Sequence, residues 1–261
     1  MVQTSVIGCG NMGSALIKGL WRGGNHTVTA CDLDPDALES VADYCERTTS
    51  DVSEAADADV VVVAVKPDIV GAVLEDLELS PEQTLLSIAA GVSTDYVETR
   101  TDANVVRLMP NLAAETGDMA AAVAGENVTD EVRALLDDVG EYAEIDEAQM
   151  DIATAVNGSG PAFVFYLIQA MTEAGVDGGL EADDAETLAA QTFKGAAETV
   201  LRSDEDVDDL IDAVCSPNGT TIEGMEVLWN SDVRADVTAA VTAAEERSAE
   251  LAAEFGSEDD V

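Results

Sequence analysis

The sequence predicts an α/β fold: a doubly wound parallel sheet over residues 1–146, then an all-helical half over 147–261. Three observations predict it. Strand-like and helix-like segments alternate up to about Glu147, the pattern of parallel strands joined by helices on both faces. A glycine-rich stretch, GCGNMG, sits at the first junction of strand with helix. Beyond Glu147 the strand signals vanish, and alanine-rich sequence with helical spacing continues almost to the end.

VQTSVI (2–7) reads as the first strand, and helical sequence follows it through Trp21. HTVTAC (26–31) is the second strand, PDALESVADYC (35–45) a helix, and a short helix falls around 53–56. DVVVVAV (59–65) is apolar from Val60 onwards, as expected of a central strand covered on both sides. TLLSIA (84–89) and NVVRLM (104–109) extend the sheet, each preceded by helix-like sequence. A helix over 130–138 and a last strand over 142–145 complete it. In the second half PAFVFYLIQAM (161–171) is apolar nearly all round, which suits a helix enclosed on every side. A helical half of this size needs another chain to cover such a helix. The expectation is an oligomer built through this half, at least a dimer.

Composition narrows the function classes. The 261 residues carry 54 acids against 11 bases, a formal charge of −43, with 47% hydrophobic residues. That leaves material for a real core and no basic stripe, so nucleic-acid binding is excluded. The acids are scattered, apart from the tail Glu258, Asp259 and Asp260, which argues against a dedicated acidic arm. At about 1 M salt the screening length falls to roughly 3 Å and self-repulsion fades. The composition therefore reads as adaptation to a very salty cytosol. Cys9, Cys31, Cys45 and Cys215 show neither disulfide density nor CxxC spacing and read as buried free thiols. No signal peptide opens the chain and its apolar runs fall far short of about 18 residues, so a cytoplasmic protein without a membrane partner is expected.

Gly8-Cys9-Gly10-Asn11-Met12-Gly13 fits GxGxxG, and each glycine has a physical task. Gly8 permits a tight turn, Gly10 lets a pyrophosphate approach the backbone, and Gly13 lets helix and strand pack closely. The helix N-terminus then offers unpaired N–H groups to phosphate. In this position the motif predicts a Rossmann-type domain holding NADPH or NADH. Asp32 ends the second strand, where an acid accepts from the ribose 2′-hydroxyl and repels a 2′-phosphate, so it leans towards NADH. In a chain this acidic, Asp32 also has a plainer origin in composition.

AVKP (64–67) and SIAAGV (87–92) fall where strand ends meet the cleft of an open α/β sheet, and MPN (109–111) follows the next strand. Lys66, beside a proline turn, reads as a structural or cofactor-edge residue rather than a base. The helical half adds NGSGPAFVF (157–165) and CSPNGTTIEG (215–224), both turns that open straight into a helix. Pro161 suits a first helical turn, and free N–H groups there can bind an anion. Two such turns converging would hold a small carboxylate with backbone donors.

In this order GCGNMG, AVKP, SIAAGV, MPN, GSGPAF and SPNGTTI resemble the pyrroline-5-carboxylate reductase family from the first strand to the last helix. The resemblance implies a Rossmann domain, an all-helical C-terminal dimerisation domain, and reduction of the cyclic imine 1-pyrroline-5-carboxylate to L-proline with NAD(P)H. It implies a phosphate grip from Ile7, Gly8, Cys9, Gly10, Asn11, Met12 and Gly13. Ala64, Val65, Lys66 and Pro67, with Ile88, Ala89, Ala90 and Asn111, would serve the nicotinamide side. The substrate carboxylate would sit on Gly158, Ser159 and Gly160 and on Ser216, Gly219 and Thr220. Thr221 would place its hydroxyl at the imine nitrogen. Glu147 matches an acid of the family near the substrate, and reads equally as a helix-N-terminal acid. Three places depart from the family pattern: Leu112 and Ala113 follow MPN, Asn157 replaces a serine, and Asn218 replaces a glycine. The last two bear on substrate affinity. If residue 218 needs a positive φ, Asn is the least costly choice after glycine.

The chemistry fits the inventory. His26 is the one histidine and falls in the turn before the second strand, so a Ser-His-Asp hydrolase is not expected, and the cysteines lack zinc-ligand spacing. A protonated imine is already electrophilic, so its reduction needs mainly alignment. Two other readings stay open: a β-hydroxyacid dehydrogenase using Lys194, and a non-catalytic NAD(P)H-binding sensor.

Overall fold

The computed structural model describes residues 2–258, with side-chain surroundings through residue 254. The chain divides into two compact units. The first runs to Gly158 and takes the chain up again at Thr242; the second is Ser159–Val241.

In the first unit β1 (Val2–Ile7), α1 (Asn11–Gly23), β2 (His26–Cys31), α2 (Pro35–Val41) and β3 (Arg47–Thr49) come first. They are followed by β4 (Val60–Val63), α3 (Pro67–Glu75), β5 (Thr84–Ser87), α4 (Thr94–Glu98) and β6 (Asn104–Met109). Then come β7 (Met119–Ala124), α5 (Asp130–Asp137) and β8 (Gly140–Glu144). All eight strands form one sheet, ordered β3-β2-β1-β4-β5-β6-β7-β8. The first six run parallel, as the alternation requires. The sheet is thus predominantly parallel, as expected; at one edge β7 is antiparallel to β6, and β8 parallel to β7.

β4 explains why the sheet is central. Val60, Val62 and their neighbours Val6, Leu16, Ile17 and Leu20 bury one face. Val61, Val63, Ile7, Val70, Leu74 and Leu85 bury the other. All four β4 valines are at most 1% exposed, so an uninterrupted apolar run carries both cores. The strand stops at Val63 because Pro67 stands at the start of α3, behind the extended Lys66. Asp34 and Asp51 likewise open α2 and a short 3-10 turn by accepting N–H bonds from the residue two further on.

Residues 147–158 are helical, as expected, yet they pack with the sheet. A 3-10 turn (Glu147–Gln149) leads into α6 (Met150–Ala153) and a π-helical turn (Thr154–Gly158). Met150 is buried with Met109, Ala122 and Ala124, which ties this stretch to β6 and β7. The first unit therefore extends past the sequence boundary at 146/147 because an apolar anchor holds the connection down.

The second unit contains α7 (Gly160–Asp177), α8 (Ala182–Arg202), α9 (Val207–Val214), α10 (Thr220–Trp229) and the start of α11 (Val233–Glu258). Among the described residues only Ala185 and Ala189 of this unit are buried. No residue of α7 is buried, and Phe165 and Tyr166 are 67% and 71% exposed. The enclosure expected of α7 is thus not made within one chain; large apolar side chains of the same unit, among them Leu188, Leu201, Leu228 and Trp229, are left exposed as well. The end of α11 belongs to the first unit: Ser248 Oγ donates to Asp151 Oδ1 at 2.7 Å. Among the described residues no helix is long and apolar enough to cross a membrane. Asp259 and Asp260 of the acidic tail lie outside the described residues.

Candidate active site

The glycine turn has the geometry each glycine was expected to need. Gly8 has φ +99°, and its N–H donates to Cys31 O at 2.8 Å, so β1 turns sharply over the end of β2. A Cβ on Gly8 would lie 2.7 Å from Ala64 O. A Cβ on Gly13 would overlap Gly8 O, so α1 packs directly on the turn. Around Gly10 a Cβ would meet nothing within 4 Å. Gly10 is also the N-cap of α1, and no side chain caps its first turn. The outcome is an open, donor-lined cradle at a helix N-terminus with no acid in the first turn, which fits a pyrophosphate. Asn11 and Met12 form that turn; Ile7 and Cys9 are buried beneath it.

Asp32 stands beside the cradle. Its Oδ2 accepts from Cys9 N–H at 2.6 Å and its Oδ1 from Asp34 N–H at 2.9 Å. The carboxylate therefore braces the glycine turn, a role unseen in the sequence. Burial, then the charge of Asp32, pushes the Cys9 thiol up to about 12, and the same causes in the same order take Cys31 to about 11. Both thiols stay protonated at neutral pH and are poor nucleophiles.

At the next strand ends, Ala64 and Val65 are half-buried, packing one on each core, while Lys66 is exposed as the N-cap of α3. Ile88 and Ala89 are buried, which leaves backbone and the exposed Ala90 to face a ligand. Asn111 is 9% exposed and its amide makes three hydrogen bonds. Oδ1 accepts from the N–H groups of Ala113 and Ala120, and Nδ2 donates to Asn157 O at 3.2 Å. Asn157 answers it: Nδ2 donates to Met109 O at 2.7 Å and to Ala120 O at 2.9 Å. A serine cannot reach two carbonyls in this way, so the departure at 157 has a structural use.

Glu147 opens the 3-10 turn after β8. Oε1 accepts from Thr94 N–H at 2.8 Å and from Arg107 at 2.9 Å, and Oε2 accepts from the Thr94 hydroxyl. Burial pushes this carboxyl up, but the hydrogen bonds from Thr94 and Arg107 outweigh it and leave the carboxyl below its usual range. Sequence reading passed over Arg107 and Thr94. The available signal was an arginine inside the apolar strand NVVRLM, since a buried charge demands a partner.

In the second unit Ser159 is the N-cap of α7 and Gly160 begins it, with Pro161 in the first turn and no side-chain cap. Gly219 is the N-cap of α10, again without a side-chain cap, and its N–H donates to Ser216 O at 2.9 Å. Thr220 and Thr221 are exposed on the first turn of α10. Asn218 has φ +58°, the one positive φ outside glycine among the described residues, so asparagine preserves a turn that otherwise calls for glycine. Among the described residues no hydrogen bond joins the Ser159–Gly160 turn to the 216–221 turn. Gly158 closes the π-helical turn of the first unit. His26 begins β2, its ring buried against Asp138 at 2.7 Å, and Lys194 lies exposed on α8.

Sheet order, cradle and positive-φ glycine are those of a dinucleotide-binding α/β protein. A family model described as pyrroline-5-carboxylate reductase dimerisation matches residues 147–251. One described as NADP oxidoreductase, coenzyme F420-dependent, matches residues 3–91. The pyrroline-5-carboxylate reductase of Methanosarcina acetivorans is 39% identical, over 88% of this chain and 90% of its own. That of Pseudomonas aeruginosa is 41% identical, over 84% and 85%. Among solved structures, the enzyme of Coxiella burnetii superposes with a TM-score of 0.86 at 31% identity, covering 96% of this chain and 98% of that one. The Plasmodium falciparum enzyme, solved with NADP bound, gives 0.81 at 30% identity over the same shares. The chain belongs to the pyrroline-5-carboxylate reductase family.

Proposed function

We propose that this chain reduces 1-pyrroline-5-carboxylate to L-proline with NADH or NADPH, the last step of proline synthesis. The observation that carries the reading is 39% identity to a named reductase sustained over 88% of the chain. The cradle of Gly8, Gly10 and Gly13 fits the dinucleotide, with Ala64 to Pro67 and Ile88 to Ala90 on its nicotinamide side. Bound there, the nicotinamide supplies a hydride to the imine carbon. The chain's own task is then to hold the ring. The turns at Gly158–Gly160 and at Ser216–Thr220 would grip the carboxylate through those main-chain N–H groups not already bonded within the turn, and the Thr221 hydroxyl would hold the imine nitrogen, which keeps its proton as it becomes the amine. Asp32 favours NADH, because a 2′-phosphate would meet Asp32, Asp34 and Asp36 with no cation between them in the sequence. The exposed apolar helices of the second unit are covered by another copy, giving at least a dimer. The scattered acids suit a cytoplasm rich in salt.

The test is oxidation of NADH and of NADPH by the full chain in concentrated KCl with 1-pyrroline-5-carboxylate. Turnover is expected, and Thr221→Ala should lower kcat/KM by about 10- to 1,000-fold while nucleotide binding persists. Turnover only with a 3-hydroxy acid would move the chemistry to Lys194. Tight nucleotide binding without turnover would make the protein a sensor.

A further inference from the structure

We propose that Glu147 is a positioning residue: with Thr94 and Arg107 it forms a joint that sets loop 88–93 at the carboxyl end of β5, and it does not touch the substrate. The proposal rests on the reductase reading, because that reading places residues 88–90 beside the nicotinamide.

The joint gathers three distant pieces of chain. Thr94 begins α4, Arg107 lies in β6, and Glu147 follows β8. The carboxylate takes three hydrogen bonds: two from Thr94, through its N–H and its hydroxyl, and one from Arg107. A carboxylate has about four acceptor positions, so little capacity is left for a ligand. The Arg107 side chain is 8% exposed and pairs with no other carboxylate among the described residues. It stands beside Ser87 across the parallel β5–β6 pair, and both its Nε and the Ser87 hydroxyl are buried without a hydrogen-bond partner. Glu147 is therefore the counter-charge that makes a buried guanidinium tolerable at this point of the sheet.

The loop between β5 and α4 is held at both ends. At one end Ile88 N–H donates to Val63 O at 3.1 Å, fixing the loop to β4. At the other, Glu147 grips the backbone and hydroxyl of Thr94. Between them Gly91 turns with φ +78°, and a Cβ there would stand 3.2 Å from the Ala252 backbone of α11. Ala90 stays exposed between the fixed ends. A cavity of about 250 Å³ beside the joint is bordered by Gly91 and Ser93 of the loop and by Tyr96, Arg107, Glu147 and Asp151, so the loop has open space on one side once the grip on Thr94 is lost. Misplacing a reacting group by about 1 Å can cost on the order of 100-fold in rate, so a slack loop shows in turnover.

Glu147→Ala, Glu147→Gln and Thr94→Val are compared with wild type as full chains. Glu147→Ala should lower kcat by about 10- to 100-fold while KM for pyrroline-5-carboxylate and NADH affinity by fluorescence titration stay near wild type. Glu147→Gln should recover part of kcat, since its amide oxygen still accepts from Arg107 and Thr94 N–H. Amide hydrogen exchange over residues 88–93 should quicken in Glu147→Ala without any nucleotide present. Thr94→Val, which keeps the Arg107–Glu147 pair, should show the same kinetic split more weakly and serves if the alanine variant does not fold. Wild-type kcat in a folded variant, or unchanged exchange over 88–93, overturns the proposal. A raised KM at unchanged kcat overturns it too, making Glu147 a substrate ligand. If wild type shows no turnover the reductase reading fails, while the exchange measurement still decides whether the joint holds the loop.

Discussion

Two of the glycines of the first turn can be separated experimentally, because the structure gives their substitutions different effects. Gly13→Ala adds a methyl that overlaps the carbonyl of Gly8 and stands 3.3 Å from the Ala64 Cβ. Overpacking of this kind costs about 1–3 kcal/mol, and a backbone obstacle that cannot rotate away puts it at the upper end. Replacing glycine by alanine inside a helix returns about 1 kcal/mol. The net loss is about 2 kcal/mol, which at about 2–4 °C per kcal/mol lowers Tm by about 4–8 °C. Gly10→Ala is the control. Its φ is −67° and its Cβ meets nothing within 4 Å, so stability without nucleotide should stay within about 0.5 kcal/mol of wild type. The same methyl fills the cradle where the pyrophosphate must approach. Losing two charge-assisted hydrogen bonds there, at about 1.5 kcal/mol each or more, weakens NADH by roughly 100-fold. The assay is thermal melting in concentrated KCl without nucleotide, alongside NADH fluorescence titration of the same samples. A Gly10→Ala protein that binds NADH like wild type would refute the placement of the pyrophosphate. A Gly13→Ala protein with wild-type Tm would refute the packing argument.

Asn157→Asp puts a carboxylate oxygen where an amide now donates to Met109 O and Ala120 O; it should cost at least the two bonds, about 1–3 kcal/mol, and an unchanged urea midpoint would contradict the clamp. Asp32→Asn removes a charge while keeping an acceptor for Cys9 N–H, so the affinity for NADPH relative to NADH should rise, tenfold for about each 1.4 kcal/mol of repulsion removed. Titration with both nucleotides decides it, and an unchanged ratio would end the role of Asp32 in discrimination. The Glu147 carboxyl is lowered in the folded chain. Its stabilisation is therefore complete above the unfolded value of about 4.3 and is lost as pH falls through the lower, folded value. The stability gap between wild type and Glu147→Gln should hold from neutral pH down to about 5 and narrow as pH falls below the unfolded value of about 4.3. A gap that stays constant through acid would be the contrary result.

How well the fold could be read depends on how locally each feature is encoded. β4 announces itself because four consecutive valines suit only a strand buried on both faces. β7 does not, because MAAAVA is mostly alanine, a helix former that here fits between two cores. β3 is three residues long, too short for any alternation to register, and the reversal of direction at β7 leaves no mark in composition. The glycine turn and Asn218 were legible for the converse reason. A positive φ, or an approach too close for a Cβ, constrains one residue, and the residue type records it. The Glu147 joint and the Asn111–Asn157 clamp are relations between segments 40 or more residues apart. Each half is an ordinary polar residue until folding brings the other to it, and only the arginine within an apolar strand hinted that an answer was needed.

The same reasoning bears on the helical unit, where the sequence and the single chain disagree instructively. PAFVFYLIQAM has the composition of an enclosed helix, yet α7 buries no residue within the chain. Composition records the surroundings in which a helix works, and the single chain supplies only some of them. A unit whose buried residues are Ala185 and Ala189 removes too little apolar surface from water to offset the ordering of its helices. The missing burial has to come from outside the unit, and the dimerisation model that matches 147–251 covers these same helices. The exposed apolar side chains of α7 are therefore where a partner surface would add the burial this helix lacks, in keeping with the dimerisation model matched over this half.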